Sequence, residues 1–173
     1  MLIGLLSIAL CIVSIASNAA VNALHHADLH FSAENSVKNA VPVPEAIWSL
    51  LKEDADVREV EERETPPIRN PPRNWFSAAR VHLHTPRAND FIVQGEGPLM
   101  GANLSTFWVF GDTASGAKLL LKIPAHDLVI RDAESNGYKV IEASAVIAAA
   151  HVVTLTYKFN GERYLLSSRK AGK

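Results

Sequence analysis

The sequence predicts an α+β domain in which one N-terminal amphipathic helix packs on a curled, mainly antiparallel sheet of seven or eight strands. Three observations carry this. Apolar residues at Ile47, Leu50, Leu51 and Val57 follow helical spacing. From Asn74 onward the spacing changes to period two, with short β-branched, aromatic and aliphatic runs bounded by Gly, Pro, Asn, Asp or Ser. One helical pattern followed by a run of strands is the order of an α+β fold.

The helix is predicted to begin at Pro44, whose missing N–H would be unpaired at a first turn in any case. Glu45 places negative charge where the helix dipole favours it. Lys52, Glu53, Asp56, Arg58 and Glu59 lie outside the apolar stripe, giving a helix of about four turns that needs a surface to cover. Pro66, Pro67, Pro71 and Pro72 end it, because neither helix nor ladder tolerates that density of proline. The stretch reads as a stiff connector; a proline-rich ligand for a recognition domain is the sharper alternative.

In the first strand Val81 and Leu83 alternate with Arg80, His82 and His84. Phe91-Ile92-Val93 makes the second. The third, Thr106 to Phe110, is apolar at both parities and belongs at the centre of the sheet. Lys118 to Ile123, Asp127 to Arg131 and Tyr138 to Ile141 follow, with Pro124-Ala125 and Asn136-Gly137 as turns. Residues 142–150 are alanine-rich and fit strand, bulge or a short helical turn. In the last hairpin Val153, Leu155, Tyr157 and Phe159 share a face, and Asn160-Gly161 can supply the positive-φ pair of a type I′ turn before Arg163 to Ser167 returns.

The chain has 173 residues and a net charge of −1, which gives no electrostatic case for nucleic acid. Residues 1–23 contain no charge; an apolar run from Leu2 to Val13 leads into small residues, the pattern of an export signal cleaved after Ala19 or Ala23. A basic start is missing, so an uncleaved anchor is the competing reading. Residues 24–43 then read as a flexible leader, 44–167 as a single domain and 168–173 as a loose tail. The sole cysteine, Cys11, lies in the signal, so the mature chain has no disulfide, no thiol nucleophile and no Cys-based zinc site. Periplasm or extracellular space is the expected location, with no membrane contact after cleavage.

Four groups could carry chemistry. His25, His26, Asp28 and His30 are imidazole and carboxylate donors suited to a divalent copper, nickel or zinc ion; a chain beginning at Leu24 would add a free amine and two amides around His26. His82 and His84 share a strand face and can bind a ligand or two positions of a metal, although two exposed histidines on a wet face are the commoner case. Trp108 becomes a binding residue if its strand leaves it exposed. His126, Asp127 and His151, with Ser105, Ser144 or a nearby Thr as nucleophile, would make a hydrolase, but no Gly-x-Ser-x-Gly elbow accompanies them. No cofactor fingerprint is present: Gly95-Glu96-Gly97 lacks the Lys-Ser/Thr of a phosphate cradle.

Gly101-Ala102-Asn103, Phe107-Trp108-Val109-Phe110, Leu119-Leu120-Leu121, Gly137-Tyr138 and Tyr157-Lys158-Phe159-Asn160-Gly161-Glu162-Arg163-Tyr164 together resemble a group of small exported bacterial proteins of unknown function. The resemblance spans about residues 44–164 and implies location and fold; its motifs are strands and turns, so it implies no active residue. The expected function is a non-enzymatic binding or inhibitor-like module for an envelope or extracellular protein. The alternatives are a His-dependent hydrolase or metal enzyme, and copper or nickel binding by the leader. Export predicts a mature chain starting at Ala20 or Leu24 in the intact mass of protein from its native host; a chain starting at Met1 would instead support the anchor.

Overall fold

The structure, a computed structural model, describes residues 29–147 and 151–172. The elements in order are β1 (Leu29–Ser32), α1 (Glu45–Lys52), α2 (Ala55–Arg63), β2 (Phe76–Val81), β3 (Asp90–Gly95), β4 (Ser105–Thr113), β5 (Gly116–Ala125), β6 (Asp127–Ser135), β7 (Tyr138–Ile147), β8 (His151–Phe159) and β9 (Tyr164–Ala171). All strand pairs are antiparallel. The class is α+β, but the nine described strands form two sheets: β2-β3-β4-β5 and β1-β6-β7-β8-β9.

A corner at His126 divides what the sequence suggested was one curled sheet. Ile123 and Ala125 face inward, and so do Leu128 and Ile130, so the inward parity reverses across the corner. The reversal lets the chain change sheets while keeping the same core beneath it. Backbone bonds fix the bend: His126 N–H donates to Ser144 O (2.7 Å), and Ala33 N–H donates to His126 O (2.7 Å).

Three layers result: the helices, the four-stranded sheet and the five-stranded sheet. One core lies between the sheets and includes Phe31, Leu83, Ile92, Phe107, Val109, Leu128 and Ile141. The other lies between the four-stranded sheet and the helices and includes Ile47, Leu51, Val57, Trp75, Phe91, Trp108 and Phe110. Phe107 and Val109 therefore enter one core and Trp108 and Phe110 the other, as a central strand apolar at both parities requires.

The single predicted helix is two helices, broken at Asp54. That residue is extended (φ −67°, ψ 132°), and its carboxylate accepts from Asp56 N–H (3.0 Å) and Val57 N–H (3.4 Å), an N-cap on α2. The same carboxylate accepts from the Trp108 indole N–H at 3.1 Å and from Lys122 Nζ at 2.7 Å; Lys122 also reaches Asp56 at 2.7 Å. Burial opposes ionisation of Asp54, but the hydrogen bonds from Lys122 and Trp108, the lysine charge and the Asp56 amide outweigh it and lower its pKa. The break thus pins the helix pair to β4 and β5.

Three further expectations change. The leader contains β1, whose Leu29 and Phe31 alternate with His30 and Ser32 and pair along β6 from Leu29↔Ile130 to Ser32↔Asp127. The tail is the end of β9 as far as Ala171. The two-residue turn with both φ values positive is Asn136-Gly137 (49° and 74°), not Asn160-Gly161. The final hairpin instead closes by Asn160 Oδ1 accepting from Glu162 N–H (2.9 Å) and Arg163 N–H (2.8 Å).

Asp54→Ala should lower stability by about 3 kcal/mol, roughly 1 from the lost cap and 2 from buried donors left with fewer partners. Because the folded pKa of Asp54 lies below the unfolded one, its contribution is complete above about pH 4 and is lost as the pH falls below that. Urea unfolding across acid pH reads both effects; an unchanged midpoint, or an acid slope equal to that of the parent, would contradict the clamp.

Candidate functional site

The site grows from the connection between β2 and β3. Thr85-Pro86-Arg87-Ala88 forms a turn closed by Ala88 N–H donating to Thr85 O (3.1 Å), with proline where its fixed φ suits the second turn position. Leu83, fully buried, anchors the stretch on the inter-sheet core. Asp90 is also fully buried, at the first position of β3. A buried carboxylate needs several donors, and Asp90 has three: Leu83 N–H (2.8 Å), Asp112 N–H (2.9 Å) and His84 Nδ1–H (3.2 Å).

This orients His84. Its Nδ1 donates to Asp90, its ring stacks on Tyr138 (centroids 4.6 Å apart), and Tyr138 stacks on Phe159 (3.9 Å). The other ring nitrogen, Nε2, has no hydrogen-bond partner among the described residues. The opposite sheet is tied to the same point: Lys139 N–H donates to Leu83 O (2.7 Å), and Tyr164 Oη–H donates to Lys139 O (2.8 Å). Burial raises the phenol pKa of both Tyr138 and Tyr164, and the charge of Asp90 raises both further, so both phenols stay neutral.

His84 opens onto a cleft of about 450 Å³ with apolar walls from Leu29, Val81, Leu83 and Pro86 and polar groups from His82, Thr85, Glu134 and Lys139. A second cleft of about 480 Å³, lined by the chain from Asn35 to Asn39, shares Leu29, Arg80 and Val81 with the first. The two adjoin along these shared residues beside β1 and β2, the end strands of the two sheets, and are called the groove below. Gln94 lines the second cleft and is buried; its Nε2 donates to Ser32 O (3.1 Å) and Asn35 O (3.4 Å), leaving Oε1 without a partner among the described residues.

The residues singled out from sequence divide as follows. His82 and His84 both line the groove, but from the loop after β2, which stops at Val81, and not from one strand face. His82 Nδ1–H donates to Ala88 O (2.8 Å) while His84 binds Asp90. Trp108 is 1% exposed, so it is a core residue with no surface to offer a partner. His25, His26 and Asp28 lie outside the described residues. His30 Nε2 pairs with Asp127 Oδ1 at 2.9 Å. Among the described residues no group of three or more His, Asp or Glu side chains is placed to hold a metal.

The hydrolase set is assembled in the wrong order. Ser144 Oγ–H donates to Asp127 (3.2 Å), and Asp127 binds His30, so the carboxylate stands between hydroxyl and imidazole, where a general base would have to be. Burial opposes ionisation of Asp127, but hydrogen bonds from His30, Ser32 and Ser144 and the charge of His126 lower its pKa overall. His126 Nδ1–H donates to Asn103 O (3.0 Å), buried Ser105 donates to Gly95 O (2.6 Å), and His151 is exposed opposite Ile147. Sequence reasoning missed Asp90, Gln94, Tyr138 and Lys139; a lone acid at the head of the apolar run Phe91-Ile92-Val93 was the available signal for Asp90.

Protein-family models, curated proteins and solved structures contain no match to this chain.

Asp90→Asn replaces an acceptor oxygen with an NH2 group facing existing donors, and should cost about 2–4 kcal/mol in urea unfolding. In the parent, nitrogen NMR should find the neutral His84 proton on Nδ1, and in Asp90→Asn that preference should weaken. Undiminished stability, or a parent His84 protonated on Nε2, would contradict the assignment.

Proposed function

We propose that this chain is an exported, non-enzymatic binding module, inhibitor-like in kind, that receives an extended segment of an envelope or extracellular protein in the groove beside β1 and β2. One observation carries the reading: the two clefts, about 450 and 480 Å³, adjoin at Leu29, Arg80 and Val81 beside two strands that each end a sheet. Such a groove offers backbone groups to an extended peptide and alternating pockets to its side chains. Gln94 Oε1 supplies an acceptor at the floor and His84 a fixed imidazole at the rim. The uncharged, apolar start of the chain and the resemblance to small exported bacterial proteins support the location.

A second reading has a specific observation in its favour. The Asp90–His84 pair is an orienting acid and a base with a free nitrogen, and Thr85 places a hydroxyl on the same cleft. It describes a His84-dependent hydrolase.

A photo-reactive amino acid at Thr85, introduced in the native host, tests the two. The binding module gives a discrete cross-linked protein from the exported fraction, absent when the probe is at exposed Glu59 on α2 and reduced by His84→Ala. Equal labelling from both positions, or none from Thr85, would overturn it. Ester turnover by the purified protein that vanishes in His84→Ala would establish the hydrolase instead.

A further inference from the structure

A second surface, away from the groove, has its own chemistry. β9 is the last strand of its sheet and pairs only with β8. Seven of its eight residues are exposed, all but Tyr164, including Leu165 at 44% and Leu166 at 54%. The register places Leu165 beside Lys158, Leu166 beside Tyr157, Arg169 beside Leu155 and Lys170 beside Thr154. Each sheet face at this edge therefore carries one leucine and one cation from β9. Neither β8 nor β9 contains a carboxylate, and Lys158, Arg163, Arg169 and Lys170 have no acidic partner among the described residues.

We propose that β9 is a strand-addition site for an extended acidic segment of a partner protein. An edge strand presents a row of backbone N–H and C=O groups that only another backbone can satisfy in register. Charge selects the occupant: a partner strand with Asp or Glu opposite Arg169 and Lys170 relieves the unpaired cations on both faces. Lipid is a poorer fit, because Leu165 and Leu166 point to opposite faces and hydrocarbon offers nothing to the strand's backbone. A second copy is poorer too, because it would bring two cationic strands side by side without a carboxylate between them. The cations that keep copies apart admit an acidic strand.

The test uses the 15N-labelled exported protein and two blocked octapeptides, four Val-Glu repeats and four Val-Lys repeats. The Val-Glu peptide should shift the amide signals of Leu165 to Ala171, leave those of Leu29 to Asn39 in place, and weaken by about tenfold or more between low salt and 0.5 M. Arg169→Glu with Lys170→Glu, shown folded by an unchanged melting temperature, should lose that peptide and gain the Val-Lys one. The proposal is overturned if neither peptide shifts β9, if both bind equally, or if the shifts fall in the groove. It is also overturned if phosphatidylglycerol vesicles shift β9 while the peptides do not. Sedimentation showing dimers that Leu166→Glu dissociates would assign the edge to a second copy instead.

Discussion

The buried carboxylate of Asp90 is the constraint on which this end of the molecule depends. It has no solvent, so each of its oxygens must be met by protein donors, and the donors come from three places: the end of the β2 connection, the far end of β4 and the His84 ring. Leu83, held by its N–H to Asp90, uses its carbonyl to receive Lys139 N–H from the other sheet. A single backbone unit thus joins the carboxylate to both layers. The stack of His84, Tyr138 and Phe159 lies over the same junction. The groove wall near His84 is consequently a fixed surface, although it is built from loop.

The opposite core depends on an analogous device with a different outcome. Asp54 ends one helix by starting the next, and its remaining lone pairs take the Trp108 indole and Lys122. This carboxylate keeps a cationic partner and lies nearer the surface, whereas Asp90 has backbone amides and a histidine. One acid sets where the helices lie on the four-stranded sheet; the other sets how the two sheets meet. Trp108 serves the first of these and is unavailable to a partner.

What was legible in the sequence follows from how local the causes are. Phe107 to Phe110 announced a central strand because four consecutive apolar residues leave no wet face. Val81 and Leu83 were correctly inward, whereas His82 and His84 fall in the loop after β2, which stops at Val81, and not on the strand face expected of them. The helix break had one local signal, an Asp placed to cap Asp56 and Val57, but the groups that fix Asp54 against the sheet lie 54 and 68 residues away. The corner at His126 resembled a hairpin turn because Pro124-Ala125 punctuates both; only the parity reversal between Ala125 and Leu128 distinguishes them. β1 was hidden by composition: its alternation of Leu29 and Phe31 with His30 and Ser32 is regular, but histidines and alanines around it suggested a solvated leader. Asp90 was marked only by its place at the head of the apolar run Phe91-Ile92-Val93, and nothing in the one-dimensional pattern marked Gln94 as a polar side chain that ends fully buried.

The groove and the β9 edge share one physical origin, a sheet edge that no full strand covers among the described residues; on β2 only Val41 bridges it, at Ala78. They differ in finish, the groove with a fixed imidazole and a buried amide, the edge with unpaired cations. The claim underlying the account is that Asp90 makes the sheet junction rigid. Native-state hydrogen exchange of the Leu83, Asp112 and Lys139 amides tests it most directly. If the account is right, all three exchange only through global unfolding, with protection matching that of Phe107 and Val109 in the central strand. Exchange of Leu83 and Asp112 through local opening, while β4 remains protected, would mean that the Asp90 junction is a loop end like any other and that the groove has no fixed wall.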